Sequence, residues 1–297
     1  MSLYENARLL IDGQLVEASD GQTFDNINPF NEEVIGVVPN ATAEDTDRAI
    51  GAARRAFDES DWSRDHELRA RCLRQLRDGL RERIEELRKI TVSEVGCPIS
   101  MTYGAGLDDP VTWLGNYADY LEAFEWRIDA GVAEVMGNKT QRYILREPMG
   151  VMGAITPWNV PNDINLKKLG WAMAAGCTVV MKAAPSTSWC SNFLGEVIAT
   201  KTDVPAGAVN ILSSSENDIG ELITNDRRVD LVGFTGSTAV GKRILEVCAP
   251  QVKPAQLELG GKSAAMLMPD MPGLPQVAGA MAASVCFHAG QGCAILT

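Results

Sequence analysis

The residues best placed to do chemistry stand near the end of the sequence, in His288-Ala289-Gly290-Gln291-Gly292-Cys293. A thiol becomes a nucleophile when it is partly exposed and close to hydrogen-bond donors or positive dipoles. Gly290 and Gly292 remove the side chains around Cys293. That sets it apart from Cys72, Cys177, Cys190, Cys248 and Cys286, which read as small buried hydrophobes. His288 has nothing in the sequence to orient its imidazole, so a cysteine–histidine hydrolase dyad is a poor reading. The second reactive group is Glu258, in Leu257-Glu258-Leu259-Gly260-Gly261-Lys262. A carboxylate between leucines suits a partly apolar cleft, where desolvation raises its pKa toward a general-base range. The bland alternative is a surface glutamate in a turn.

These groups need elements to carry them. Residues 9–17 and 23–38 read as short strands, 42–91 as helical, 108–126 as a helix, and 131–147 as a hairpin around Gly-Asn. Within 71–89 an Arg/Glu run carries leucines at 73, 76, 80 and 87, which predicts a solvated charged helix face. After Pro148 apolar strands alternate with helices, one of them closed by Gly176. This pattern predicts an α/β fold, a parallel sheet with helices on both faces. Ligands of such sheets bind outside the carboxyl ends of the strands.

Three polar loops fall on that edge: Thr156-Pro157-Trp158-Asn159, Lys182, and Gly233-Phe234-Thr235-Gly236-Ser237. A helix opening at Ser237 offers free N–H groups suited to a pyrophosphate, although a tight turn with a serine N-cap explains the loop equally well. Lys182 either snorkels to the rim or holds ligand oxygens. Trp113, Tyr117 and Trp171 read as core packing, with a substrate tunnel as the alternative.

The bulk properties narrow the classes. With 297 residues, 45% hydrophobic, the chain has ample material for a core. A net charge of −12 repels phosphate backbones, so nucleic-acid binding is excluded. Seven cysteines without a C-x-x-C pair, and two histidines, make disulfide frameworks and metal sites poor readings. No apolar run reaches the ~18 residues of a membrane span, and the N-terminus is not a signal peptide. A cytoplasmic location follows as the expectation.

Taken together and in order, the motifs TPWN, MK, GFTGST, LELGGK and GQGC resemble the aldehyde dehydrogenase superfamily over essentially the whole chain to Thr297. The resemblance implies a variant Rossmann cofactor-binding domain over 1–256, interrupted by an oligomerisation hairpin at 129–147, and the start of a second α/β catalytic domain over 257–297. It implies that Cys293 attacks the aldehyde, that Asn159 and the Cys293 N–H hold the oxyanion, that Glu258 activates water on the thioester, and that Lys168 relays protons. It assigns Ile155, Thr156, Pro157, Trp158, Lys182, Ala184, Pro185, Phe234, Thr235, Gly236, Ser237, Val240, Leu259 and Gly260 to NAD, with a homodimer or homotetramer as the assembly.

The departures are informative. Pro185 stands where many members place a ribose-binding glutamate, which leaves NADP possible, and Ser214-Ser215-Glu216 replaces a Gly-x-Gly turn. Members of the family run well past the nucleophile, so the chain reads as their N-terminal part. A catalytically silent nucleotide-binding or oligomerisation module is therefore the alternative. A CoA-acylating variant is disfavoured by Glu258, a hydrolytic base that thiolysis does not need.

Overall fold

Four of the five strands after Gly150 are buried on both faces, and the fifth, Ala255–Leu259, exposes alternate residues. The computed structural model describes residues 3–296, so Thr297 lies outside it. The strands are β1 (Leu9–Ile11), β2 (Gln14–Val16), β3 (Thr23–Ile27), β4 (Val34–Pro39), β5 (Arg127–Val135), β6 (Asn138–Leu145), β7 (Val151–Ile155), β8 (Thr178–Lys182), β9 (Val209–Leu212), β10 (Leu231–Gly236) and β11 (Ala255–Leu259). The helices are α1 (Ala43–Glu59), α2 (His66–Glu82), α3 (Ile84–Val95), α4 (Ile99–Thr102), α5 (Asp108–Ala123), α6 (Pro161–Ala175), α7 (Ser188–Lys201), α8 (Asp218–Asn225), α9 (Thr238–Cys248) and α10 (Leu274–Cys286).

One sheet has the order β11-β10-β7-β8-β9-β1-β2. Strands β7 to β11 pair in parallel, while β1 joins β9 and β2 antiparallel. Alternate side chains enter two cores. Met152, Val179, Met181, Val209 and Ile211 pack with α2, α3, α5, α6 and α7. Val151, Val180, Leu212, Val232 and Phe234 pack with α1, α8 and α9. This period-2 division is why the strands read as continuous apolar runs.

Local signals set the boundaries. Proline stands in the first turn of α6, and Gly176 closes that helix at φ 89, a conformation other residues rarely take. The hairpin turns through Met136 (φ 50) and Gly137 (φ 79), one residue before the expected Gly-Asn, because a primed turn needs positive φ at both central positions.

The charged run over 71–89 departs from expectation at one place. Arg88 is buried at 3% exposure, where it bonds Thr102 and pairs with Glu85 and Asp108. Two of the cysteine and aromatic readings are also corrected. Cys286 is exposed, because α10 buries none of its residues. Trp171 is 48% exposed, its ring tilted against that of Tyr117 rather than enclosed.

Glu94, at the end of α3, ties the layers together. Its carboxylate accepts from Trp189 N at 2.7 Å, Cys190 N at 2.8 Å and Asn26 Nδ2 at 2.7 Å, which caps the start of α7. Burial pushes its pKa up to about 7 against those hydrogen bonds. Glu94→Ala strands three buried donors, so we expect a loss of about 3 kcal/mol, read as a lowered urea midpoint. An unchanged midpoint counts against this role.

Among the described residues, no helix is long and apolar enough to cross a membrane. None of their His, Cys, Asp and Glu side chains form a group able to hold a metal ion.

Candidate active site

The parallel register aligns the carboxyl ends of the central strands. Ile155 pairs with Lys182, Phe234 with Ile155, and Thr235 with Glu258. Each strand therefore delivers its following loop to one cleft, of ≈ 500 Å³. It is lined by Ile155, Thr156, Pro157, Trp158 and Asn159 after β7, and by Lys182, Ala184 and Pro185 after β8. Thr235, Gly236 and Ser237 come from β10, Glu258, Leu259 and Gly260 from β11, and Cys293 from the last segment. Phe234 and Val240 line an adjoining slot of ≈ 270 Å³, which shares Ile155 and Lys182 with the cleft.

Lys168 is the one predicted residue that lines neither space. It is buried at 8% exposure on α6. Burial brings its ammonium down to about 8, and the charge of Glu258 opposes that shift. Lys168 and Glu258 therefore feel each other electrostatically.

Lys182 is resolved in favour of the interior. It is 5% exposed, and its Nζ reaches only the carbonyls of Ala183 and Ser214, each at 3.4 Å. No carboxylate of the described residues lies within ion-pair distance of it, and burial alone holds it at about 8. A buried ammonium with two long contacts is under-satisfied. Elsewhere on the cleft's lining, Thr235 Oγ1 is buried without a hydrogen-bond partner. Ser237 caps α9 by accepting from Val240 N at 3.3 Å, so the turn-and-cap reading holds while the helix start still faces the cleft. These orphaned polar groups fit a ligand rich in hydroxyl and phosphate oxygens, which is what a dinucleotide offers.

The reactive groups are brought together but are not sheltered. Cys293 and Glu258 are both exposed, so the desolvation expected for Glu258 is not present. The carboxylate sits at the outer strand β11, whose alternate residues face solvent. Asn159 Nδ2 donates to the Gln291 carbonyl at 2.8 Å, and His288 Nε2 donates to the Asn159 carbonyl at 2.7 Å. The imidazole is thus oriented, contrary to the sequence reading, but toward the Asn159 main chain. His288 and Ala289 adopt left-handed φ of 49° and 52°, and the segment folds back beneath Asn159.

The sequence reading noted Ser214-Ser215-Glu216, in the loop after β9, only as a departure and assigned no site residue there. Asn217 lines both spaces, and Ser214 supplies a carbonyl to Lys182. The same strand-end rule, applied to a fourth strand, finds it. Ile164, one helical turn into α6, also lines the cleft, and Arg243 and Glu221 pair at the rim of the slot.

Known proteins share this fold. Residues 15–297 match the aldehyde dehydrogenase family. An aldehyde dehydrogenase of Aspergillus niger is 38% identical over 258 residues, 86% of this chain and 50% of that protein. Betaine aldehyde dehydrogenase 1 of Oryza sativa subsp. japonica is 36% identical over 267 residues, 89% of this chain and 52% of its own. The crystal structure of the NAD-dependent aldehyde dehydrogenase from Sinorhizobium meliloti superposes with a TM-score of 0.90 at 35% identity, covering 98% of this chain and 57% of that one. The NAD+ complex of an aldehyde dehydrogenase from Bacillus cereus gives 0.90 at 31% identity, with 99% and 58% covered. The chain thus spans about half the length of the curated relatives it matches.

Proposed function

The chain belongs to the aldehyde dehydrogenase family, and from that premise we propose that it serves the NAD(P)-dependent oxidation of an aldehyde to a carboxylic acid. One observation carries the reading: a single cleft holds Cys293, Asn159 and Glu258 together with the under-satisfied Lys182.

The Cys293 thiolate attacks the aldehyde carbon to give a thiohemiacetal. Asn159 Nδ2, released from Gln291, and the Cys293 N–H donate to the oxygen on which charge grows, and this differential stabilisation accelerates the step. When bound, the dinucleotide supplies the oxidising power that converts this adduct into a thioester. Glu258 removes a proton from the water that hydrolyses the thioester, and Lys168, buried and electrostatically linked to it, relays the proton. Lys182 and the start of α9 hold the dinucleotide, with Thr156, Trp158 and Val240 shaping its bed. NAD is the favoured cofactor, and the NAD+ complex of the Bacillus cereus relative supports that choice by analogy. Pro185 brings no charge against a 2′-phosphate, so NADP is compatible. Exposed Val132, Met136 and Leu145 on the β5–β6 hairpin support a homodimer or homotetramer.

A second reading is favoured by the exposure of Cys293 and Glu258 and by α10, none of whose residues is buried. In it the chain acting alone is a dinucleotide-binding module without turnover. The deciding experiment is formation of reduced nicotinamide by the purified chain with aliphatic and aromatic aldehydes, alongside dinucleotide binding. Turnover supports the full activity, binding without turnover supports the module, and the absence of both refutes the cleft assignment.

Glu258→Gln separates hydrolysis from thiolysis. We expect it to slow thioester hydrolysis by about 10²–10³-fold while leaving acylation nearly unchanged, seen as a preserved burst with a lost steady state. Equal slowing of both steps sinks the hydrolytic role.

A further inference from the structure

A groove of ≈ 440 Å³ opens where α5 and α6 end and β6 begins its exit, on a part of the fold that the oxidation does not use. We infer that this groove binds a flat aromatic carboxylate.

Its walls are aromatic and set at right angles. Tyr120 and Trp171 meet edge to face at 5.7 Å and 84°, and Phe124 and Trp126 at 4.8 Å and 71°. Such corners accept a further ring by one face and one edge. Tyr120 and Trp171 are 54% and 48% exposed, so the corner is open.

Two lining residues bring donors in want of an acceptor. Trp126, on the groove's lining, has its indole Nε1 buried without a hydrogen-bond partner. Arg146 lies 5.1 Å over Phe124 and has no carboxylate of the described residues within ion-pair distance. Guanidinium recognises carboxylate bidentately. Glu147 stands on the same rim, so a monoanion matches the groove better than a polyanion.

The volume falls in the range of small-ligand sites. Trp171 also lies one turn beyond Lys168 on α6, so the groove and the cleft share one helix. An aromatic carboxylate is the chemical class formed when an aromatic aldehyde is oxidised. The binding inference does not depend on that link, because it rests on the groove alone.

Calorimetric titration of the chain with 2-naphthoate tests it, with 2-naphthamide and hexanoate as comparators. Saturable binding of naphthoate is expected, weakened about tenfold by Arg146→Gln, with naphthamide little changed. Trp171→Ala, at an exposed position, is expected to weaken both aromatic ligands, whereas Cys293→Ser and Lys182→Met leave naphthoate binding unchanged. The proposal is overturned by non-saturable binding, or by binding that vanishes with Cys293→Ser and so belongs to the active cleft. It is also overturned if Trp171→Ala lowers the mass of the assembly in sedimentation, since a second copy then fills the groove.

Discussion

Cys293→Ser is expected to lower aldehyde-dependent reduction of the dinucleotide by about 10⁴-fold or more, with dinucleotide affinity unchanged within about twofold. A serine hydroxyl holds its proton far above neutral pH and needs an oriented base to attack a carbonyl. Among the described residues no side chain is hydrogen-bonded to that of Cys293 as such a base. His288 Nε2 is committed to the Asn159 carbonyl, and Glu258 serves the later water rather than the nucleophile. Cysteine can attack without one, because a fraction is already thiolate. The control is Cys286→Ser, the other exposed cysteine, which is expected to keep full activity. Where steady turnover is too slow to follow, the same comparison is made by mass spectrometry, reading the acyl adduct formed with aldehyde and NAD. An adduct on Cys286, or activity retained in Cys293→Ser, removes Cys293 from the mechanism.

The two ends of this site were unequally legible in the sequence. The strand-end loops were readable because the central strands are apolar on both faces, and the residue that breaks the run is the one that reaches the edge. Lys182 after Val179-Val180-Met181 is the clearest case. Burial of that lysine was not readable, since snorkelling and ligation leave the same pattern. The hydrogen bonds around the thiol were less accessible still. That Asn159 bonds Gln291, and that His288 bonds Asn159, follows from left-handed backbone at His288 and Ala289, which neither residue type announces. Exposure misled in the other direction. Cys286 and Trp171 look like core by type, yet one sits on a helix none of whose residues is buried and the other at the open corner of a groove. Residue type reports a side chain's preference for burial, whereas burial itself depends on whether a second element arrives to cover it.

Lys182 makes the sharpest test, because its two expected effects have opposite signs. In the ligand-free chain burial holds its ammonium at about 8, below the ordinary 10.5. The unfolded chain keeps that proton up to the ordinary value. Between about pH 8 and 10.5 the unfolded state therefore binds more protons, and stability rises with pH across that window. Below it the folded protein carries a buried charge contacted only by two carbonyls at 3.4 Å. Lys182→Met is accordingly expected to be more stable than the wild type at pH 7, the advantage fading as pH climbs through the window. Dinucleotide affinity should move the other way and fall about 30-fold, the loss of charge-assisted hydrogen bonds to the ligand. Bound oxygens draw the ammonium's pKa back up, so wild-type affinity should be flat below about pH 8 and decline above it. The methionine variant should show no such decline. Lys168 also titrates near 8 but lines neither the cleft nor the slot, so Lys168→Met should preserve the pH profile of binding. A lysine kept for stability would give a variant that is both weaker in folding and indifferent in binding, and that result would remove Lys182 from the cofactor site.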